Sequence, residues 1–266
     1  MTQSQPQEVI VTDTSQFRWT SASRSHVGLV RKVNEDSCLD MPDRRLWAVA
    51  DGMGGHALGD FASQTIVTAL GNSPPHDSLG ERVVDTRERL QTVNRLLREE
   101  ADTRGVHIIG STVVVLLAQE RHCAYLWAGD SRIYRYRNGL LTQLTRDHSQ
   151  IEELRAIGNP ALEEAISPIV RNMITRAVGA AESLDIDEEI IDVEDGDVFL
   201  LCSDGVSNEV SDEEMCSVLA PGNCRHAAET LVDIALERGG HDNISAVVVR
   251  ADDLSSTDKT VLNPAL

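Results

Sequence analysis

The chain has 266 residues, of which 24 are Lys or Arg and 43 are Asp or Glu, giving a formal net charge of −19. That balance argues against a protein that grips nucleic acid through its phosphates, and against a polybasic membrane anchor, because both depend on clustered Lys and Arg. The five cysteines are odd in number and form no CxxC pair, so neither a disulfide framework nor a zinc cluster is expected, and reduced thiols in a cytoplasmic protein are the simpler reading.

Residues 1–18 are rich in Gln, Ser and Thr and read as a loose N-terminal arm. Leu46-Trp47-Ala48-Val49-Ala50 reads as a strand that ends at Asp51. A helix is expected over 57–70. The loop Gly71-Asn72-Ser73-Pro74-Pro75-His76-Asp77 follows, then a helix over 82–98 with Val83, Leu90 and Leu97 on one face. Thr112 to Ala118 and Cys123 to Ala128 read as a hairpin across a short polar break. The longest purely aliphatic run, Val113 to Ala118, has about six residues against about 20 for a membrane-spanning helix.

Arg132 to Arg137 alternates as a strand does, and Asn138-Gly139 suits a type I′ turn. A helix is expected near 149–157, with His148 capping its start. Glu182 to Asp197 is acidic but interleaved with Ile186, Ile190, Ile191 and Val193, which favours a half-buried strand over a calcium-binding segment. Val198 to Cys202 is a strand, and Ser211-Asp212-Glu213-Glu214 is a capping box opening a helix over 211–219. A helix over 224–238 and a strand over 244–249 complete the series. Trp47 and Trp127 fit core strands. One domain over 19–252 is expected, with residues 253–266 as a C-terminal tail. Strands come in clusters joined by short turns and helices come in separate pairs, an order that suggests antiparallel sheets with helices outside.

The informative residues are aspartates at strand ends. Asp51, Asp130, Asp204 and Asp242 each sit at the rim of an apolar strand, close to glycine. Any one of them reads as a turn former, since Asp bonds local backbone N–H groups. Four carboxylates converging on one sheet edge would repel one another and their pKa values would rise unless cations sat between them. Hard divalent cations suit an all-oxygen donor set. Arg31 is the basic counterpart, since a guanidinium beside such a cluster can hold a phosphate on two oxygens; alone it reads as a solvated surface charge. Gly52-Met53-Gly54-Gly55-His56-Ala57 matches the dinucleotide pattern G-x-G-x-x-A. It is rejected because no βαβ unit follows and Asp51 would face the pyrophosphate.

The segments Val27-Gly28-x-Val30-Arg31-x-x-Asn34-Glu35-Asp36, Ala50-Asp51-Gly52-Met53-Gly54-Gly55-His56, Gly110-Ser111-Thr112 and Ala128-Gly129-Asp130-Ser131-Arg132 are followed by Leu144-Thr145-x-Asp147-His148-Ser149. Ile174-Thr175-Arg176-Ala177-Val178-Gly179, Ser203-Asp204-Gly205 and Asp242-Asn243-Ile244 complete the series. In this order the chain resembles the metal-dependent protein phosphatases (PPM, type 2C) of the compact bacterial type. The resemblance implies an α+β fold, a four-layer α/β/β/α sandwich with two central antiparallel sheets. It implies hydrolysis of protein phosphoserine and phosphothreonine with Mn²⁺ or Mg²⁺, two core ions and a third, weaker one. It also implies roles. Asp51 would bridge two metals, the Gly52 carbonyl would ligate the first, and Asp204 and Asp242 would complete the second. Asp36 would hold metal-bound water, and Asp130 with Asp204 would bind the third ion. Arg31 would bind the substrate phosphate.

Two divalent cations sharing a water lower its pKa and supply hydroxide near neutral pH. The leaving alkoxide needs a proton, for which His56 is a candidate directly or through water, a supporting position near the metals being the other reading. Residues 158–173 occupy the variable flap, with Ser167-Pro168 where relatives often carry His-Pro. Expected partners are phosphorylated proteins, a Ser/Thr kinase and its targets among them, with no nucleic acid and no membrane, and a monomer is expected. A non-catalytic sensor on the same fold and a small-molecule phosphoesterase are the alternatives.

Overall fold

The computed structural model describes residues 17–53, 58–158, 167, 170 and 173–255. The strands are β1 Phe17–His26, β2 Asp36–Met41, β3 Leu46–Met53, β4 Gly110–Ser111, β5 Val113–Gln119, β6 His122–Ala128, β7 Arg132–Arg137, β8 Leu140–Gln143, β9 Asp187–Asp192, β10 Val198–Cys202 and β11 Ile244–Asp253. The helices are α1 Gly59–Gly71, α2 Leu79–Arg104, α3 Gln150–Ile157, α4 Asp204–Ser207, α5 Asp212–Leu219 and α6 Cys224–Glu237. One sheet has the order β1-β11-β10-β7-β8. The other runs β2-β3-β5-β6-β9, with β4 paired to β3. Every pairing between the described strands is antiparallel.

Alternation along the strands builds three apolar layers, because successive side chains point to opposite faces. Trp47 and Val49 of β3, with Val114 and Leu116 of β5, meet Trp19, Phe199, Leu201, Val247 and Val249 of the other sheet. The indoles of Trp19 and Trp47 lie 5.5 Å apart across that seam. The intervening residues Ala48, Ala50, Val113, Val115 and Leu117 face outward onto Ile66 and Leu70 of α1 and Leu90 and Leu97 of α2. On the far side Leu200, Cys202, Ala246 and Val248 cover themselves with Met215 of α5 and Leu231 and Ala235 of α6. The result is the expected α/β/β/α sandwich.

Four expectations need correction. β3 does not end at Asp51; Gly52 and Met53 continue it by pairing with Ser111 and Gly110. Phe17 and Arg18, assigned to the arm 1–18, pair with Asp253 and Asp252, and the same ladder carries β11 one residue into the tail assigned to 253–266. The rest of the arm, and the tail from residue 256 on, lie outside the described residues. α2 is longer than 82–98: Ser78 and Glu81 form a capping box at its start, and Gly105, at φ 66°, ends it. β1, β2, β4 and β8 were not anticipated. Only Phe17 and Trp19 of β1 are fully buried, and β2 reads Asp-Ser-Cys-Leu-Asp-Met, so neither carries a clean apolar alternation. The Asn138-Gly139 turn is as expected, with φ of 51° and 83°, and the capping box opens α5.

Phe199 is 0% exposed in the layer between the sheets. Phe199→Ala is expected to cost about 3–5 kcal/mol, whereas Ile190→Ala, at a residue 60% exposed, should stay within about 0.5 kcal/mol. Urea unfolding midpoints at constant slope measure both.

Candidate active site

One end of the sandwich gathers the strand-end aspartates. Asp51 lies on β3 opposite Asp36, the first residue of β2. Asp204 opens α4, directly after β10. Asp130 sits in the turn between β6 and β7, and Asp242 just before β11. Arg31 reaches the cluster from the loop between β1 and β2, with Nη2 donating to Asp242 Oδ2 at 2.7 Å. Arg31, Asp51, Gly52, Asp130, Asp204 and Asp242 line one cleft of about 320 Å³, together with Glu35, Met53, Ile174 and Asn243. Asp36 is buried beneath it, 7% exposed. All the expected site residues that are described therefore converge. His56 lies outside the described residues, as does most of the 158–173 flap.

Local bonds hold the Asp51 main chain and the Asp36 carboxylate. The Asp51 N–H donates to Thr112 Oγ1, and the Asp51 carbonyl accepts from the Thr112 N–H. Ser203 Oγ donates to Asp36 Oδ2 at 2.7 Å. Asn243 shapes the loop that carries Arg31. Its Nδ2 donates to the carbonyls of Val27 and Val33, and its Oδ1 accepts from the Glu35 N–H. The backbone approaches too closely for side chains at two points. A Cβ on Gly52 would stand 2.0 Å from the Gly59 carbonyl oxygen, and one on Gly28, at φ 81°, would stand 2.1 Å from that of Asp242.

His148 does not cap α3. Ser149 holds that position, without a side-chain bond. Instead the His148 ring stacks on Trp127, its Nδ1 accepts from the Gly129 N–H at 3.2 Å, and its Nε2 faces Asp187 at 3.1 Å. With Nδ1 accepting, the proton belongs on Nε2. This ring steadies the turn that presents Asp130.

The electrostatics follow from crowding. Burial pushes the Asp36 carboxyl up to about 7, the charges of Asp204 and Asp242 add to this, and the Ser203 bond partly offsets it. Burial, then Asp204 and Asp147, raise Asp130 to about 7 as well. Asp51 stands well above the usual carboxylate range because of burial and then because Asp36, Asp204, Asp130 and Asp242 all face it. Asp204 is raised by burial and by Asp242, and eased by a hydrogen bond to Asp51.

Among the described residues no three acidic or imidazole groups close into a ready-made ligand cage. Yet Asp36 Oδ1 and Asp204 Oδ1 are buried oxygens without a hydrogen-bond partner. Partnerless buried acceptors in an all-oxygen, strongly negative cluster fit hard divalent cations such as Mn²⁺ or Mg²⁺. Among the described residues, the elements that follow Gly52 are α1 and α2 and no strands pair in parallel, so the dinucleotide reading stays rejected.

Comparison with known proteins agrees with this architecture. Residues 22–238 match the family described as protein phosphatase 2C. The serine/threonine protein phosphatase PstP of Mycobacterium tuberculosis is 37% identical over 231 residues, covering 85% of this chain and 44% of that protein. The chain thus spans less than half the length of this relative. The serine/threonine phosphatase stp of Listeria monocytogenes is 32% identical over 241 residues, covering 86% of this chain and 94% of that one. Among solved structures, PppA, described as a key regulatory component of the T6SS in Pseudomonas aeruginosa, superposes with a TM-score of 0.81 at 47% identity, covering 88% of this chain and 97% of that one. The PstP catalytic domain in complex with two manganese ions gives 0.77 at 33%, covering 89% and 100%. The chain belongs to the protein phosphatase 2C family.

A raised carboxyl favours the folded state while protonated, so its contribution is present at low pH and is lost as pH rises through its folded value. Asp36→Asn removes that loss. In chelator, the melting temperature of Asp36→Asn relative to the parent is expected to climb between about pH 4, the ordinary carboxylate value, and the value of about 7 that burial gives Asp36, and to level off above it. A difference that stays constant across this range contradicts the assignment.

Proposed function

We propose that this chain is a metal-dependent protein serine/threonine phosphatase that reverses Ser/Thr kinase signalling. The observation that carries the reading is Asp51, a carboxylate faced by four others in a cleft also lined by the Arg31 guanidinium. The relatives described as serine/threonine phosphatases, and the manganese ions bound by PstP, support it.

Asp51 would bridge two cations, with the Gly52 carbonyl on the first and Asp204 and Asp242 on the second; Asp130 with Asp204 would hold a third, weaker one. When bound, the cations supply Lewis acidity toward the phosphoryl group and acidify water. Asp36 Oδ1, which lacks a partner, offers an acceptor that orients the attacking water. Arg31 keeps donors beyond the one given to Asp242. These meet the phosphate oxygens as charge builds on them during in-line displacement. The serine or threonine oxygen leaves with a proton, for which His56, directly or through water, is the candidate source. Substrates are phosphorylated proteins, a Ser/Thr kinase and its targets among them, and the likeness to PppA supports a regulatory setting. A monomer acting in the cytoplasm completes the reading. Among the described residues, no helix is long and apolar enough to cross a membrane.

The test is phosphate release from a phosphothreonine peptide and from a small aryl phosphate, before and after Mn²⁺ is returned to stripped protein. Metal-dependent release with the higher kcat/KM on the peptide is expected. Preference for the small ester would indicate a metabolite phosphoesterase, and no release from folded protein would indicate a sensor. Asp204→Asn should lower kcat by roughly 100-fold or more. Arg31→Ala should raise KM about tenfold, and an unchanged KM with normal kcat removes its role.

A further inference from the structure

The loop between β1 and β2 carries more than Arg31. Leu29 and Val30 precede that residue and Val33 follows it, and they are 66%, 63% and 41% exposed. Ten large hydrophobic residues are exposed among the described residues, and these three all fall within two positions of Arg31. Single exposed aliphatic side chains are ordinary on a protein surface, whereas a group of them beside a functional residue marks a contact surface. On another segment, Met173 is exposed as well, and it precedes Ile174, which lines the catalytic cleft together with Met53.

The loop is pinned on both sides of Arg31. The Leu29 N–H donates to the Gly240 carbonyl at 2.7 Å, and the Gly28 N–H donates to His26 Nδ1 at 3.0 Å. Asn243 Nδ2 holds the carbonyls of Val27 and Val33. Main chain also sits directly beneath: a Cβ on Gly240 would stand 3.0 Å from the Leu29 nitrogen, and one on Gly28 would run into the Asp242 carbonyl. So close a seat leaves no space under the loop, and whatever covers these aliphatic side chains lies on its open side. The occupant of that side follows from Arg31, and this step rests on the phosphatase reading, in which Arg31 meets the substrate phosphate. Neighbouring residues of any chain are about 3.8 Å apart at Cα. Leu29, Val30 and Val33 are therefore as near to the phosphate-holding group along the loop as the residues flanking the phosphorylated one are along the substrate. Charge narrows the occupant further. Asp242 is paired with Arg31, and Glu35 and Asp51 line the same cleft. An acidic residue beside the substrate phosphate meets repulsion there, whereas an aliphatic one gains by leaving water.

We propose that Leu29, Val30 and Val33 form a docking ledge for the phosphorylated protein. The ledge selects segments that carry an aliphatic rather than an acidic residue within two positions of the phosphoserine or phosphothreonine. Arg31 holds the phosphate, and the ledge beside it reads the neighbouring side chains.

Three phosphothreonine peptides test this, identical except that the residues flanking the phosphothreonine are leucine, glycine or glutamate. With Mn²⁺ returned to stripped protein, kcat/KM on the leucine peptide is expected to exceed that on the glycine peptide about tenfold, mainly through KM, with the glutamate peptide lowest. In the double variant Leu29→Ser, Val30→Ser the leucine peptide should fall to the level of the glycine peptide, while the rate on the glycine peptide stays that of the parent. Equal kcat/KM on the leucine and glycine peptides overturns the ledge and leaves the phosphatase reading standing; no release from any of the three overturns both. A leucine advantage that survives the two substitutions, or an equal fall on all three peptides, also overturns the ledge. Sedimentation of parent and variant covers the other occupant. A parent dimer that the substitutions dissolve, without any peptide preference, makes the patch a contact between copies and overturns the proposal.

Discussion

Mutual repulsion among buried carboxylates is the constraint on which the catalytic end of this molecule depends. Asp51 is faced by Asp36, Asp130, Asp204 and Asp242, with Arg31 the guanidinium paired to them. Ionising Asp36 in place, where burial raises its carboxyl to about 7, costs on the order of 4 kcal/mol more than in water. Domain stability is about 5–15 kcal/mol, so a few such charges consume much of it unless protons or cations compensate. The cluster is therefore expensive for the fold and useful only in the presence of positive charge.

The sandwich tolerates this because the carboxylates belong to different elements that the two sheets bring to one edge. Asp36 and Asp51 are cross-strand neighbours in one sheet. Asp204 follows a strand of the other sheet, and Ser203 beside it bonds back to Asp36. Apolar packing between the sheets fixes the spacing. Asn243, Thr112 and His148 then set loop and turn positions to which the sheets alone would not hold them. Glycines at 28 and 52 let main chain approach main chain where any side chain would block it. At the opposite end Arg44 and Arg82 tie neighbouring loops together through main-chain carbonyls.

Much of this was legible in the sequence where local chemistry decides. The interior strands β3, β5, β6 and β10 are apolar runs with clear boundaries, the Ser211 box marks a helix start, and Asn138-Gly139 marks its turn. The aspartates were visible as a set because each follows or precedes such a strand. What was hidden depends on tertiary pairing. β1 and β2 are polar edge strands whose identity comes from their partners. β3 runs past Asp51 because the two-residue strand β4 lies beside it, a pairing with no local signal. The role of His148 could not be read either. Its sequence neighbours suggest a cap, whereas its bonds reach Gly129 and Asp187, distant in the chain. Arg82 carries no local signal either, since nothing in a helical period reveals the carbonyls of Arg44, Arg45 and Ala118 that its guanidinium meets.

The account turns on whether the carboxylate cluster is a cation site organised around Asp51. Calorimetric titration of Mn²⁺ into stripped protein, with Asp51→Asn alongside and folding verified by circular dichroism, tests this most directly. Two tight ions in the parent and neither in Asp51→Asn are expected, because one carboxylate serves both. If folded Asp51→Asn binds Mn²⁺ with the stoichiometry and affinity of the parent, the cluster is not organised around that residue and the assignment of the site is wrong.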